Sequence, residues 1–170
     1  MLIVEIAALF HDLFDAKYLS LNTTEELDLP SWLLAHGVEE DQSSLILKII
    51  ENASYSKEVV LRASGNWTQW HENCIELHCV MDADKLDALG AFGIFRCAAF
   101  SGSRNIPLYL PEHDKMYKKC AVGHFGDKLF RLESMMMTDI GRKVAKRRTI
   151  IMKEVIRNIK EEDELLDFEK

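Results

Sequence analysis

The chain has 170 residues, 48% of them hydrophobic, with only 3 prolines and 8 glycines. These figures predict one folded domain over residues 1–170 and exclude long disordered linkers. The formal net charge of −7 disfavours nonspecific binding to nucleic acid or to an anionic membrane surface, because a phosphate backbone attracts a basic face.

Cysteine spacing and the N-terminal segment bear on the cellular location. The four cysteines, at positions 74, 79, 97 and 120, lack the paired spacing of a zinc ribbon and indicate reduced thiols in a cytosolic protein. The apolar N-terminus has neither the basic segment nor the cleavage site of a signal peptide, and no apolar run approaches the ~18 residues of a membrane span. We therefore expect no membrane association and a cytoplasmic location, with the nucleus as the alternative.

Helical patterns dominate the first third of the chain. Residues 2–13 predict a helix that is apolar on nearly every side and must be covered on nearly every side. Thr23 and Glu26 have the spacing of a capping box, which indicates a helix start. A short helix is then predicted to end at Gly37, since glycine suits a helix C-terminus. Residues 39–53 predict an amphipathic helix with one apolar stripe.

The rest of the chain also lacks a period-two strand pattern. Residues 54–67 are punctuated by Ser and Gly and predict loops, whereas residues 70–100 predict a long helical segment whose small residues let another helix come close. A loop is predicted over 101–112, followed by helices over 122–137 and 138–166. The last helix is predicted to bury one face made by Ile140, Val144, Ile151, Val155 and Ile159. The predicted fold class is therefore all-α.

Two polar clusters interrupt these apolar segments. His11 and Asp12 end the first helix, where an ionised carboxylate is costly unless a metal or another cation pairs with it; a surface pair or a helix cap is the alternative. Asp82, Asp84 and Asp87 lie close together in the sequence and repel one another unless a cation lies between them. In the alternative, two of these three acids point to solvent and a neighbouring lysine neutralises the third.

Taken together, the clusters "HDLFDAKY" and "DADKLDALGAFGIFR" resemble the HD-domain superfamily of metal-dependent phosphohydrolases, which are all-α proteins with the ligand pattern H…HD…D. The resemblance continues through "IIENASY", "RNIPLY" and "GHFGDKL" and so covers almost the whole chain. It implies an HD-like helical bundle.

The resemblance also implies functional residues. His11, Asp12 and Asp84 would bind a divalent metal, and their mixed nitrogen and oxygen ligation suits Mn²⁺, Mg²⁺, Co²⁺ or Fe²⁺. Asp15, as general base, and Lys17 would be catalytic. Contacts to the substrate are implied at Lys85, Asp87, Arg96, Arg104 and His124. For the lysines and arginines, the alternative is a solvated side chain.

One departure from the family pattern concerns the first ligand. The pattern begins with another His about one helix upstream of His-Asp, so we expect an N-terminally short domain that lacks this helix. Three interpretations stay open: an incomplete sequence, a substitute ligand such as water, His36 or His124, or a domain that has lost catalysis.

The expected function is divalent-metal-dependent phosphohydrolysis of a nucleotide or a related phosphoester or phosphoanhydride by a metal-activated water. The alternative is a catalytically impaired HD-fold protein that acts in binding or as a scaffold. Nucleic-acid binding through "GRKVAKRR" is disfavoured by the overall acidity, and a homo-oligomer is left open.

Overall fold

The computed structural model describes residues 1–13 and 28–166. In this part of the chain all regular secondary structure is helical, which confirms the predicted all-α class. The chain divides into two compact units, Met1–Ala83 and Asp84–Lys170. None of the described helices has both the length and the hydropathy to cross a membrane, and all four cysteines are free thiols.

The first unit contains α1 (Leu2–Phe10), α2 (Leu29–Ala35), α3 (Glu40–Asn52), α4 (Tyr55–Ala63), α5 (Gln69–Asn73) and most of α6 (Ile75–Asp87). The second unit contains α7 (Gly90–Ser103), α8 (Ala121–Asp127), α9 (Asp139–Leu166) and two 3₁₀ helices, Tyr117–Lys119 and Leu129–Met135.

Helix α3 lies at the centre of the first unit, because α1 and α2 both pack against it. Its apolar stripe is buried, with Ile46 and Ile49 fully inaccessible, as its sequence pattern predicts. On α1, by contrast, Ala7 is the only described side chain that is buried, and Leu9 is 81% exposed. The prediction that this helix is covered on nearly every side is therefore wrong: its other apolar side chains pack only partly against the core, and the side with Leu2 and Leu9 is exposed.

Gly37 ends α2 as predicted, and the geometry shows why glycine is needed. Its φ of +82° lies in the left-handed region that other residues avoid. The Gly37 N–H donates to the Leu34 carbonyl and the Val38 N–H to the Leu33 carbonyl, both at 3.1 Å. This is a Schellman motif, and the burial of Leu33 and Val38 provides its usual hydrophobic contact.

Helix α4 occupies the segment that was predicted to be loops, so that prediction is wrong. The serine that suggested a break is instead an N-cap: the Ser54 side chain accepts a hydrogen bond from the Lys57 N–H at 3.3 Å. Glu58 on this helix is fully buried and accepts a hydrogen bond from the Arg62 Nε at 3.0 Å. The charged pair one turn apart stabilises a helix whose sequence pattern is only weakly amphipathic.

The long helical segment predicted over residues 70–100 is interrupted at two places. The backbone is extended at Cys74, which ends α5, and Gly90 adopts a φ of +81° between α6 and α7. Beside Gly90 lies the aliphatic part of Arg148 from α9, whose guanidinium donates a hydrogen bond to the Leu86 carbonyl. This contact fixes the junction between α6 and α7.

Helix α9 exists as predicted, but it buries a different face. Ile140 and Ile151, assigned to the buried face, are 75% and 46% exposed. The residues of α9 that are buried follow a stripe one position further along: Gly141, Ala145, Thr149, Met152 and Ile156. Small side chains at Gly141 and Ala145 suit close packing, since α9 contacts both α7 and the 3₁₀ helix Leu129–Met135.

Candidate functional site

The first unit contains a cleft of about 550 Å³ at the C-terminal end of α1, which we call the His11 cleft. Two of the predicted site residues, His11 and Asp12, line it. Its other lining residues are Pro30, Leu47, Ile50, Glu51 and Ser54. The cleft thus combines an apolar wall with several polar groups that converge on one space, as small-molecule sites do.

The imidazole of His11 is held in one orientation by the backbone. Its Nδ1 lies 2.6 Å from the Ala8 carbonyl oxygen, and because a carbonyl only accepts, Nδ1 carries the proton. In the neutral ring the free electron pair is then on Nε2, which lies 3.7 Å from Asp12 Oδ1. Metal-binding histidines are commonly fixed in this way, through a hydrogen bond from the other ring nitrogen to a carbonyl.

The charged side chains among the described lining residues of the His11 cleft are carboxylates and the titratable His11. Asp12 and Glu51 are its acids, and among the described residues that line it there is no lysine or arginine. Sequence reasoning did not assign Glu51 or Ser54, although both lie within the stretch "IIENASY" that carries part of the resemblance. His36 does not line this cleft; its Nδ1 donates to the Trp32 carbonyl at 2.8 Å.

The predicted metal set is distributed over both units, with His11 and Asp12 in the first and Asp84 in the second. Across residues 1–13 and 28–166, no group of three or more His, Cys, Asp or Glu side chains is arranged to hold a metal ion by itself. Asp15 and Lys17 lie outside the described residues. The metal set and these two catalytic assignments therefore remain predictions.

The second unit has a smaller cavity of about 220 Å³, which we call the His124 pocket. It brings together four of the predicted site residues, Asp84, Asp87, Arg96 and His124, from α6, α7 and α8. The remaining lining residues are Ala88, Gly93, Cys97, Phe100, Lys128 and Leu129. Sequence reasoning did not assign Phe100 or Lys128, although Lys128 belongs to the quoted stretch "GHFGDKL".

The acids of α6 have three different environments. Asp87 forms an ion pair with Arg96 across the His124 pocket, and Asp84 is half-buried there. Asp82 is only 3% exposed and Lys85 only 2%. The alternatives in which two of the three acids point to solvent, or in which Lys85 is solvated, are therefore wrong. Lys85 does not line the His124 pocket, and its assigned contact with substrate stays a prediction.

His124 and Lys128 lie one helical turn apart at the C-terminal end of α8, where the Lys128 N–H donates to the His124 carbonyl at 3.0 Å. Burial lowers the pKa of His124, and the positive charge of Lys128 lowers it further, against a smaller opposite effect of Asp127. Both effects favour the neutral form of the ring.

Arg104, the last predicted substrate contact, lies at the end of α7 and does not line the pocket. Its guanidinium carbon is 5.3 Å from the centre of the Phe100 ring, which is within cation–π range. Since Phe100 does line the pocket and is 58% exposed, Arg104 stands beside the pocket rim.

Comparison with known proteins places these features in a family. No protein-family model matches the chain. The chain is 33% identical over 169 residues to the uncharacterized protein YpgQ of Bacillus subtilis strain 168, an alignment that covers 99% of this chain and 76% of YpgQ.

Solved structures agree with this relationship. The crystal structure of Bacillus subtilis YpgQ in complex with ADP is similar with a TM-score of 0.75 and 32% identity, covering 95% of this chain and 76% of YpgQ. A crystal structure of an HD-superfamily hydrolase from Bacillus thuringiensis gives a TM-score of 0.68 and 33% identity, covering 94% and 72% of the two chains. The chain thus belongs to the family of YpgQ and has an HD-like fold.

Proposed function

We propose that the protein is a divalent-metal-dependent phosphohydrolase acting on a nucleotide or a related phosphoester or phosphoanhydride. The observation that carries the proposal is the His11 imidazole, whose Nε2 is directed toward Asp12 in an acidic cleft by the Ala8 carbonyl. The similarity to an HD-superfamily hydrolase, and to YpgQ, which was crystallised with ADP, supports the substrate class.

The donor set fits a divalent cation. His11 offers an imidazole nitrogen and Asp12 a carboxylate, with Asp84 as the third proposed ligand, and such mixed donors suit Mn²⁺, Mg²⁺, Co²⁺ or Fe²⁺. When bound, the cation would lower the pKa of a water molecule and polarise a phosphoryl oxygen. Glu51 adds negative charge to the same cleft and so favours a cation there.

The other proposed roles belong to the protein's own acids and bases. Asp15 would accept the proton of the attacking water, and Lys17 would contact the phosphoryl group as it gains charge. Arg96 and Arg104 keep donors available beyond their contacts with Asp87 and Phe100, because a guanidinium carries five N–H groups.

Hydrolysis assays with matched variants test this proposal. The purified protein is incubated with a panel of nucleotides and each of the four metals, and the release of phosphate and pyrophosphate is followed. We expect turnover that depends on metal and falls more than about 100-fold in Asp84→Asn, since even outer-shell partners of a metal are worth about 10–100-fold. Asp41→Asn, at an exposed position of α3, is the control and should keep full activity.

Two results would contradict the proposal. Turnover in Asp84→Asn as fast as in the unmodified protein excludes a ligand role for Asp84. Alternatively, no metal supports turnover while circular dichroism shows a folded helical protein. The second result would favour the non-catalytic alternative, an HD-fold protein that acts in binding or as a scaffold.

A further inference from the structure

The His124 pocket is too small for a whole nucleotide. Its volume of about 220 Å³ is below the ~300–1,000 Å³ typical of cavities that enclose a drug-sized ligand. A compact group such as one or two phosphoryl units fits such a volume, and the remainder of a larger ligand has to lie at the rim.

The pocket has two cationic side chains beside its two acids. Asp87 and Arg96 offset each other in their ion pair, which leaves Asp84 and Lys128 as the other charged lining residues. Lys128 lies one helical turn from His124, and both side chains line the pocket. Phosphoryl oxygens are suitable partners for the Lys128 ammonium and for the N–H groups of Arg96 that its ion pair does not use.

The rim of the pocket offers an aromatic surface. Phe100 lies one turn beyond Arg96 on α7 and is 58% exposed although it lines the cavity. The Arg104 guanidinium carbon lies 5.3 Å from the centre of this ring. Exposed aromatic rings beside cationic groups are the usual platforms on which proteins stack bases.

From these features we infer that the His124 pocket orients a nucleotide, with Lys128 contacting a phosphoryl group and Phe100 stacking against the base. The inference rests on the proposed function for the substrate class, but it does not depend on turnover. It assigns roles to two residues that the sequence motifs leave unassigned.

Binding measurements separate the two contacts. Isothermal titration calorimetry is performed in Mn²⁺ with ADP and with inorganic pyrophosphate, and chromatography checks that both ligands remain intact. We expect Lys128→Met to raise the dissociation constants of both ligands about tenfold or more, because a hydrogen bond to a charged group is lost. We expect Phe100→Leu to raise the dissociation constant of ADP about tenfold, and to leave that of pyrophosphate unchanged.

Matched controls are Phe92→Leu, at an 81% exposed position of the same helix, and Lys118→Met, at an exposed position of a 3₁₀ helix; neither should change binding. Lys128→Gln replaces Lys128→Met if the methionine variant does not fold. Unchanged ADP affinity in both Lys128→Met and Phe100→Leu overturns the inference, and so does an equal loss of pyrophosphate and ADP binding in Phe100→Leu.

The hydrolysis assays and the binding measurements test the proposed activity and the inference independently. If no metal supports turnover but ADP binding still depends on Lys128 and Phe100, the inference stands and the proposed activity does not. If nucleotides are hydrolysed with the same KM in Lys128→Met and Phe100→Leu as in the unmodified protein, the activity stands and the inference is wrong.

Discussion

The His11 cleft and the His124 pocket both place a histidine near carboxylates, but their charges differ. The described lining of the cleft has acids without a lysine or arginine. In the pocket the two acids are accompanied by Arg96 and Lys128. A histidine beside an aspartate therefore does not define a site's chemistry: a cleft lined by acids favours a cation, and a pocket that also has cationic side chains can accept an anion.

The two histidines are also held in different ways. His11 Nδ1 donates a hydrogen bond to the Ala8 carbonyl. Nε2 is therefore the nitrogen whose electron pair can bind a metal. For His124, burial is the main cause that lowers the pKa of the ring, followed by the charge of Lys128. His11 is thus a ring oriented by the backbone, whereas His124 is a half-buried ring next to a lysine. Three experiments test this difference.

The largest expected effect concerns cation binding. His11→Phe keeps a ring of similar shape but removes its nitrogens, so we expect the dissociation constant for Mn²⁺ to rise more than about 100-fold. Electron paramagnetic resonance of free Mn²⁺ in a titration measures this constant. The control is His113→Phe in the exposed loop before the 3₁₀ helix Tyr117–Lys119, which should bind Mn²⁺ normally. Equal affinity in His11→Phe would remove the distinction between cleft and pocket.

The second effect concerns the wall of the His124 pocket. A Cβ atom at Gly93 would lie 2.3 Å from the Ala88 carbonyl oxygen, so Gly93→Ala forces backbone movement where the pocket is built. We expect a loss of about 1–3 kcal/mol in the free energy of unfolding, as for other overpacked sites, together with weaker ADP binding. Urea unfolding and calorimetry measure the two quantities.

Gly102, on the same helix, provides the matched control because no atom lies within 4 Å of its added Cβ. We expect Gly102→Ala to stabilise the protein by about 0.5–1 kcal/mol, since alanine is the better helix former. Equal stability changes at the two glycines would show that the pocket wall tolerates a side chain.

The smallest effect is a dependence of stability on pH, with one histidine from each unit. Burial lowers the pKa of His71, and the charges of Lys48 and Arg62 lower it further, against Glu72. The pKa of His124 is lowered by burial and by the charge of Lys128. Because the unfolded chain then takes up protons first, the free energy of unfolding should fall as the pH drops below about 6.5.

Urea midpoints between about pH 7.5 and 5.5 measure this dependence. His71→Gln and His124→Gln should each reduce the slope with which the free energy of unfolding falls as the pH is lowered. The result is informative for both units, because His71 is fixed within the first one by its Nε2 contact with Asn52 Oδ1 at 3.2 Å. An unchanged slope in both variants would contradict the assigned pKa directions.

The sequence allowed correct predictions where a local rule decides the structure. Gly37 ends α2 because its backbone conformation requires glycine, and α3 buries the stripe that its period indicates. In α9 the same reasoning failed, because the buried stripe contains Gly141, Ala145 and Thr149, which a hydrophobicity pattern does not distinguish. Close packing against the neighbouring helix requires small residues at these positions, and the sequence pattern of α9 alone does not show that requirement.

The functional residues show the same limit. The resemblance to the HD superfamily indicated His11 and Asp12, and also Asp84, Asp87, Arg96 and His124, of which the last four share one pocket. It did not indicate Glu51, Phe100 or Lys128. These residues have ordinary neighbours in the sequence, and their relevance comes only from the side chains that the fold brings beside them.

The contact between Arg148 and the Leu86 carbonyl joins residues 62 positions apart, and this affects the order of events during synthesis. At about 5–20 residues per second, the ribosome needs roughly 3–12 s to add the intervening segment. During that interval the nascent chain contains the junction between α6 and α7 but not Arg148, which fixes this junction. The first unit can therefore complete its folding before the helix that fixes the junction between α6 and α7 has been synthesised.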